Sequence, residues 1–137
     1  MNAAIEHAGT LRTLYDAGYF VLAIYVSGVA VEAMLRAYRM KIDPRFESRH
    51  DLSRLAEEAK FEKRVPWEKM SQFSSDMSTL SLRWSNAHRY RSSQALLRRL
   101  KKSGLCRGIR GDALKENARK CVNASVSLVT LGELLWK

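Results

Sequence analysis

The feature that most restricts the fold of this chain is an apolar segment near its start. Residues 19 to 31 are thirteen consecutive positions without a charge, and the apolar character continues past Glu32 to residue 39. Apolar side chains occupy nearly all sides of this segment at helical spacing. Because a helix needs about twenty apolar residues to cross a bilayer, the segment predicts the central, most buried helix of a soluble protein, with no membrane partner.

The rest of the chain also shows helical spacing and helix-capping residues. Helices are expected over residues 3 to 17, 19 to 39, about 51 to 60, 66 onward for roughly five turns, 92 to 103, and 112 to near the end. The expected starts and stops are Gly18, Pro44, Ser48 or Asp51, Pro66, Ser92 or Ser93, Gly104 and Asp112. In the fourth helix, Trp67, Met70, Phe73, Met77, Leu80 and Trp84 form one apolar stripe.

These patterns predict an all-α fold, a single antiparallel bundle of five or six helices over residues 1–137. With 137 residues, 46% of them apolar, the chain can fill one core. Ala30, Ala33, Leu55, Phe73, Met77 and Leu128 are expected to be largely buried, and residues 92 to 103 to be the most peripheral. Two cysteines without CxxC spacing, and no signal peptide, favour the reducing cytoplasm.

The positive charge of the chain is concentrated in one segment. Between residues 77 and 111 there is no acidic residue, while the rest of the chain has 15 basic and 14 acidic residues. The nine basic residues of the segment are Arg83, Arg89, Arg91, Arg98, Arg99, Lys101, Lys102, Arg107 and Arg110. Such a segment attracts polyanions, which favours nucleic acid, a nucleotide or an acidic protein as partner. The alternative is a basic face that is merely solvated.

Several kinds of chemistry find no support in the sequence. Gly104, Gly108 and Gly111 form no phosphate-binding loop motif. The three histidines and two cysteines lack metal-ligand spacing, so neither a metal nor another cofactor is expected. Nothing indicates a serine nucleophile.

The segment from Arg83 to Tyr90 holds the residues that could carry out a reaction. An imidazole such as that of His88 can transfer a proton near neutral pH, and the guanidinium of Arg83 can stabilise a phosphate as its charge increases. Together they suffice for metal-independent RNA cleavage, in which the 2′-OH attacks phosphorus and leaves a 2′,3′-cyclic phosphate and a 5′-hydroxyl. The candidate catalytic residues are therefore Arg83 and His88.

Geometry sets a condition on this pair, because five positions on a regular helix place two side chains roughly 140° apart. Arg83 and His88 converge only if the helix ends or bends between them, or if a second subunit supplies one of them. In an unbroken helix, His88 would instead pack beneath Trp84. The same spacing recurs at Arg45 and His50, which we interpret as a coincidental pair.

Three segments of the chain, "YDAGYFVLAIYVSGVAVEAMLRAYRM", "RHDLSRLAEEA" and "LSLRWSNAHRYR" ahead of a long last helix, together resemble the HEPN domain of prokaryotic toxin–antitoxin, phage-defence and stress systems. The resemblance implies an antiparallel helical bundle, commonly a homodimer. Many such proteins are metal-independent endoribonucleases with an Arg, four to six residues and a His, a spacing that Arg83 and His88 match. Some are toxins encoded beside a minimal nucleotidyltransferase antitoxin, which modifies a Tyr in the position of Tyr90. The resemblance places His50 in a structural "HDL" turn.

Trp84 departs from the pattern of those toxins, which usually have a small polar residue after the Arg. Other HEPN proteins, not known to cleave RNA, have a "W…RY" segment that Trp84, Arg89 and Tyr90 match equally well. Two functions therefore stay open, a ribonuclease and a non-catalytic nucleotide- or protein-binding module that partners a separate nucleotidyltransferase. In either case RNA or nucleotide is expected to contact a set of basic residues, namely Arg89, Arg91, Arg98, Arg99, Lys101 and Lys102.

Overall fold

A computed structural model describes residues 1–45 and 50–136, and these residues form helices, turns and short connections without a strand. The six α-helices are α1 (Asn2–Asp16), α2 (Phe20–Ile42), α3 (Leu52–Glu58), α4 (Met70–Arg83), α5 (Ser93–Lys102) and α6 (Ala113–Leu135). Short 3₁₀ helices occupy Phe61–Arg64, Trp67–Lys69 and Asn86–Tyr90. The prediction of an all-α helical bundle is confirmed.

The helix boundaries agree well with the capping residues expected from the sequence. Gly18 has a φ of 84°, a left-handed conformation that costs little without a Cβ, and it lies in the turn between the end of α1 and the start of α2. Asp51, Ser92 and Asp112 each accept a hydrogen bond from a backbone N–H in the first turn of the helix that follows. Ser48, the alternative cap for α3, lies outside the described residues.

α2 lies at the centre of the bundle, in contact with α1, α3, α6 and the turn Asn86–Tyr90. By length and mean hydropathy, 1.7 over an 18-residue window, α2 is also a candidate membrane span, and half of that window is buried within the bundle. Glu32 is buried on this helix, where its carboxylate pairs with Arg36 and His50. The apolar side chains of α2 thus form much of the bundle core.

Two hydrogen bonds fix the direction of α2 relative to α6. The Ser125 hydroxyl donates to the carbonyl of Ser27, and the Tyr38 hydroxyl donates to the carbonyl of Gly132. Because both partners advance along the sequence together, these two helices, which are not consecutive in the chain, run parallel. The small residues at these contacts allow the two backbones to approach closely.

Most of the expected core residues are buried, including Ala30, Leu55, Phe73, Met77 and Leu128, whereas Ala33 is only half-buried. The prediction for Trp67 is wrong, because this side chain is 88% exposed. Trp67 lies in a 3₁₀ turn before α4 begins at Met70, so it does not share the helical register of the stripe.

Candidate functional site

The segment that contains the candidate catalytic residues is a turn between α4 and α5. α4 ends at Arg83, and Trp84 and Ser85 have extended backbone conformations before the 3₁₀ helix Asn86–Tyr90 begins. The Ser85 hydroxyl accepts a hydrogen bond from the backbone N–H of Ala87 and caps this short helix. The helix therefore ends between Arg83 and His88, so these residues do not share a helical register.

Trp84 attaches the turn to α2. Its indole Nε1–H donates a hydrogen bond of 2.9 Å to the carbonyl of Tyr25. The ring covers Gly28 so closely that a Cβ at this position would lie 2.1 Å from indole atoms. Trp84 is 8% exposed. The residue that departs from the toxin pattern is thus the one that fixes the turn on the central helix.

His88 is buried beneath the turn, with 1% of its surface exposed. Its Nε2 lies 2.7 Å from the carbonyl oxygen of Arg83, and because a carbonyl only accepts, Nε2 carries the proton. The other ring nitrogen, Nδ1, is buried without a hydrogen-bond partner among the described residues. Burial lowers the pKa of His88, and the nearby Arg91 and Arg99 lower it further, although the bond to Arg83 acts in the opposite direction. These effects favour the neutral imidazole.

The guanidinium of Arg83 is directed toward α6. Its Nε donates a hydrogen bond of 2.8 Å to Oδ1 of Asn117, and its Nη1 donates to the carbonyl of Thr79. The amide of Asn117, which is fully buried, donates in turn to the carbonyls of Leu105 and Ala113. His88 therefore contacts the backbone of Arg83, while the Arg83 guanidinium is held by a separate polar network.

Asn117 is a structurally important residue that the sequence analysis missed. It joins the end of α4, the loop before α6 and α6 itself through its side-chain amide. The sequence did contain a cue for a buried polar residue here, because Asn117 adjoins Leu114, Ala118 and Cys121 on the apolar face of the last helix.

Arg89 and Tyr90 lie on the outer side of the same turn. The Arg89 guanidinium lies over the Tyr90 ring, 4.6 Å from its centroid. Hydrogen bonding with the side chains of Tyr25 and Tyr90 raises the pKa of Arg89. Tyr90 is 76% exposed and accessible to a partner.

A cavity of about 280 Å³ lies between this turn and the start of α2. Its lining residues are Gly18, Tyr19, Phe20, Val21, Leu22, Tyr25, His88, Arg89, Arg91 and Ser93. The lining combines three aromatic residues with two arginines and includes no acidic residue. One of these arginines, Arg91, has its Nε buried without a hydrogen-bond partner in the described part of the chain.

The basic residues that follow the turn are exposed on and beyond α5. Arg98, Arg99, Lys101 and Lys102 are exposed, whereas Leu96 and Leu100 attach the helix to the core. No ion pair between described residues includes any of these four cations. Their charge is therefore available to an external anion.

The structure does not bring Arg45 and His50 together. Arg45 pairs with Asp43, whereas Nδ1 of His50 lies 2.8 Å from the buried carboxylate of Glu32. His50 thus attaches the start of α3 to α2. Among residues 1–45 and 50–136, no group of three or more His, Cys, Asp or Glu could hold a metal ion.

Comparison of the chain with protein-family models, curated proteins and solved structures finds no match. The resemblance to the HEPN domain therefore stays a prediction that rests on the three segments quoted above.

Proposed function

We propose that this chain is a HEPN-like module that binds RNA or nucleotides without cleaving them. The observation that carries the proposal is the cavity between the turn and α2, where Tyr19, Phe20 and Tyr25 lie with Arg89 and Arg91 and no carboxylate lines the wall. Aromatic faces stack on bases irrespective of sequence, and guanidinium groups bind phosphates. A base with its attached phosphate matches this combination of side chains.

The position of His88 supports binding rather than cleavage. A general base has to reach the hydroxyl proton that it removes, yet Nε2 of His88 is already hydrogen-bonded to Arg83 and Nδ1 is buried. The Arg83 guanidinium bonds to Asn117 instead of lying beside the imidazole. Cleavage by Arg83 and His88 would require the guanidinium to leave Asn117 and the imidazole to leave the Arg83 carbonyl.

The proposed partners follow from the rest of the surface. Arg98, Arg99, Lys101 and Lys102 extend the site along a nucleic-acid strand. A homodimer would cover the outward side of α2 beyond this cavity, where Met40 is about half exposed and Val29 and Ala33 are half-buried. As the resemblance implies, a minimal nucleotidyltransferase would act on Tyr90, in a cytoplasmic toxin–antitoxin or defence system.

Fluorescence anisotropy with a labelled single-stranded RNA tests the proposal. Affinity is expected to fall steeply as salt rises, because bound phosphates release counterions. The double variant Arg89→Glu, Arg91→Glu is expected to weaken binding at least tenfold. Lys63→Glu is the matched control for each single arginine variant. It makes the same change of charge at an exposed residue outside the basic segment between residues 77 and 111.

Unchanged affinity in the double variant would contradict a site at the turn. Equal losses in Lys63→Glu and in either single arginine variant would show that only total charge matters. Competition by free mononucleotide separates binding in the cavity from binding to the exposed cations of α5 alone.

A further inference from the structure

A second cavity, of about 250 Å³, lies between α4 and α6. It is lined by Lys69, Gln72, Phe73, Asp76, Ser127, Thr130, Leu131 and Leu134. None of these residues belongs to the turn or to the cavity proposed for nucleotides. The volume is several times the roughly 30 Å³ that one water molecule occupies in the liquid, so a small organic molecule fits.

Asp76 is the unusual residue of this cavity. It is 7% exposed, and among the described residues its side chain receives one hydrogen bond, 2.8 Å from Nε2 of Gln72 to Oδ1. No ion pair between described residues includes Asp76, although Lys69 lines the same cavity. A buried carboxylate is destabilising unless cations or several donors compensate its charge. Although the chain has a net charge of +10, the part of it that the structure describes gives this carboxylate a single, neutral donor.

We propose that this cavity binds a primary alkylammonium group. An ammonium has three donors and no acceptor, and the cavity offers three acceptors in the Asp76 carboxylate and the hydroxyls of Ser127 and Thr130. Phe73, Leu131 and Leu134 supply apolar walls for the methylene chain.

Other cations fit this lining less well. Gln72 already donates to Oδ1 of Asp76, so Oδ2 is the more open oxygen, which disfavours the two-point contact that a guanidinium makes. A divalent metal ion prefers more oxygen ligands than one carboxylate and two hydroxyls, and apolar walls offer it none. The lining therefore selects for a compact ammonium with an aliphatic chain.

Nuclear magnetic resonance titration of the full chain with n-butylammonium tests the proposal, with n-butanol as the neutral probe of the same shape. Saturable shifts of the backbone amides of Asp76, Ser127 and Thr130 are expected with the amine only. Asp76→Asn, which keeps the shape and removes the charge, is expected to weaken binding at least tenfold. The matched control is Glu57→Gln, which removes one acidic charge at the cavity between α3 and α4.

Equal binding of n-butanol, or unchanged affinity in Asp76→Asn, would overturn the proposal. If Asp76→Asn fails to fold, Thr130→Val provides the second variant, since Thr130 is exposed and the change replaces its hydroxyl by a methyl group of similar size. Thr130→Val is expected to weaken amine binding severalfold, and unchanged affinity would overturn the proposal in the same way. Nα-acetyl-lysine amide as a further probe distinguishes the sources of the ammonium. If it binds more tightly than n-butylammonium, the source is a lysine side chain of a protein, and the reverse order indicates a free amine.

Discussion

At the scale of single residues, the contact between Trp84 and Gly28 fixes the position of the proposed binding turn. A Cβ at Gly28 would lie 2.1 Å from the indole, so Gly28→Ala has to displace the ring or the backbone. We expect a loss of about 1–3 kcal/mol in the free energy of unfolding, as in other overpacked cores, measured by urea denaturation. Gly9→Ala is the matched control, because nothing lies within 4 Å of a Cβ there and helix propensity predicts a gain of about 0.5–1 kcal/mol. A neutral Gly28→Ala would show that the indole is not held against α2.

His88 provides a residue-scale prediction about pH. Because burial lowers its pKa in the folded state, the unfolded chain binds the proton more tightly. The free energy of unfolding should therefore decrease as pH falls below about 6.5, the ordinary histidine value, toward the lower pKa of the folded state. His88→Gln retains an N–H donor for the Arg83 carbonyl but cannot titrate. Urea denaturation over a pH series should show that the free energy of unfolding of this variant decreases less toward acid pH. The same pH dependence in the variant and the parent protein would contradict a buried neutral His88.

At the scale of helices, Asn117 joins the end of α4 to the loop before α6. Asn117→Ala removes two donated hydrogen bonds and leaves the Arg83 Nε–H without its acceptor. The expected loss in the free energy of unfolding is about 1–3 kcal/mol, the cost of leaving buried polar groups unsatisfied. Asn123→Ala, an exposed asparagine on the same helix, should change stability by less than about 0.5 kcal/mol. Equal effects of Asn117→Ala and Asn123→Ala would show that the hydrogen bonds of Asn117 contribute nothing specific to stability.

The sequence was sufficient to predict the helices whose signals are local. Gly18, Asp51, Ser92 and Asp112 act on their own backbone or on the next turn, so their residue types predict helix ends directly. It was not sufficient to predict where α4 ends, because that end depends on Trp84 packing against Gly28 from another helix.

The candidate site shows the same division between local and tertiary information. The charge distribution along the chain and the pair Arg83 and His88 singled out the segment that forms the turn, whereas the aromatic residues of the cavity, which come from the start of α2, were not predicted. The orientations of Arg83 and His88 depend on Asn117 and on the break after α4, neither of which follows from spacing. The parallel direction of α2 and α6 likewise depends on tertiary contacts.

At the scale of the whole molecule, the outward side of α2 predicts self-association. Met40 is 50% exposed on this most apolar helix, Val29 and Ala33 are half-buried on the same side, and none of the three lines the cavity of the turn. Burying such side chains against a second copy is favourable in proportion to the apolar area covered. Light scattering on the purified chain should give the mass of a dimer at micromolar concentration. A clean monomer would instead favour the view that a separate partner covers this side.

RNA binding by the turn from Arg83 to Arg91, without cleavage, is the function that we propose for this chain. The most direct measurement incubates purified protein with labelled RNA in EDTA, then examines the same sample on native and denaturing gels. We expect a retarded complex on the native gel and full-length RNA on the denaturing gel. RNA cut to 2′,3′-cyclic phosphate ends, with cutting lost in both Arg83→Ala and His88→Ala but kept in His50→Ala, would contradict the proposed function.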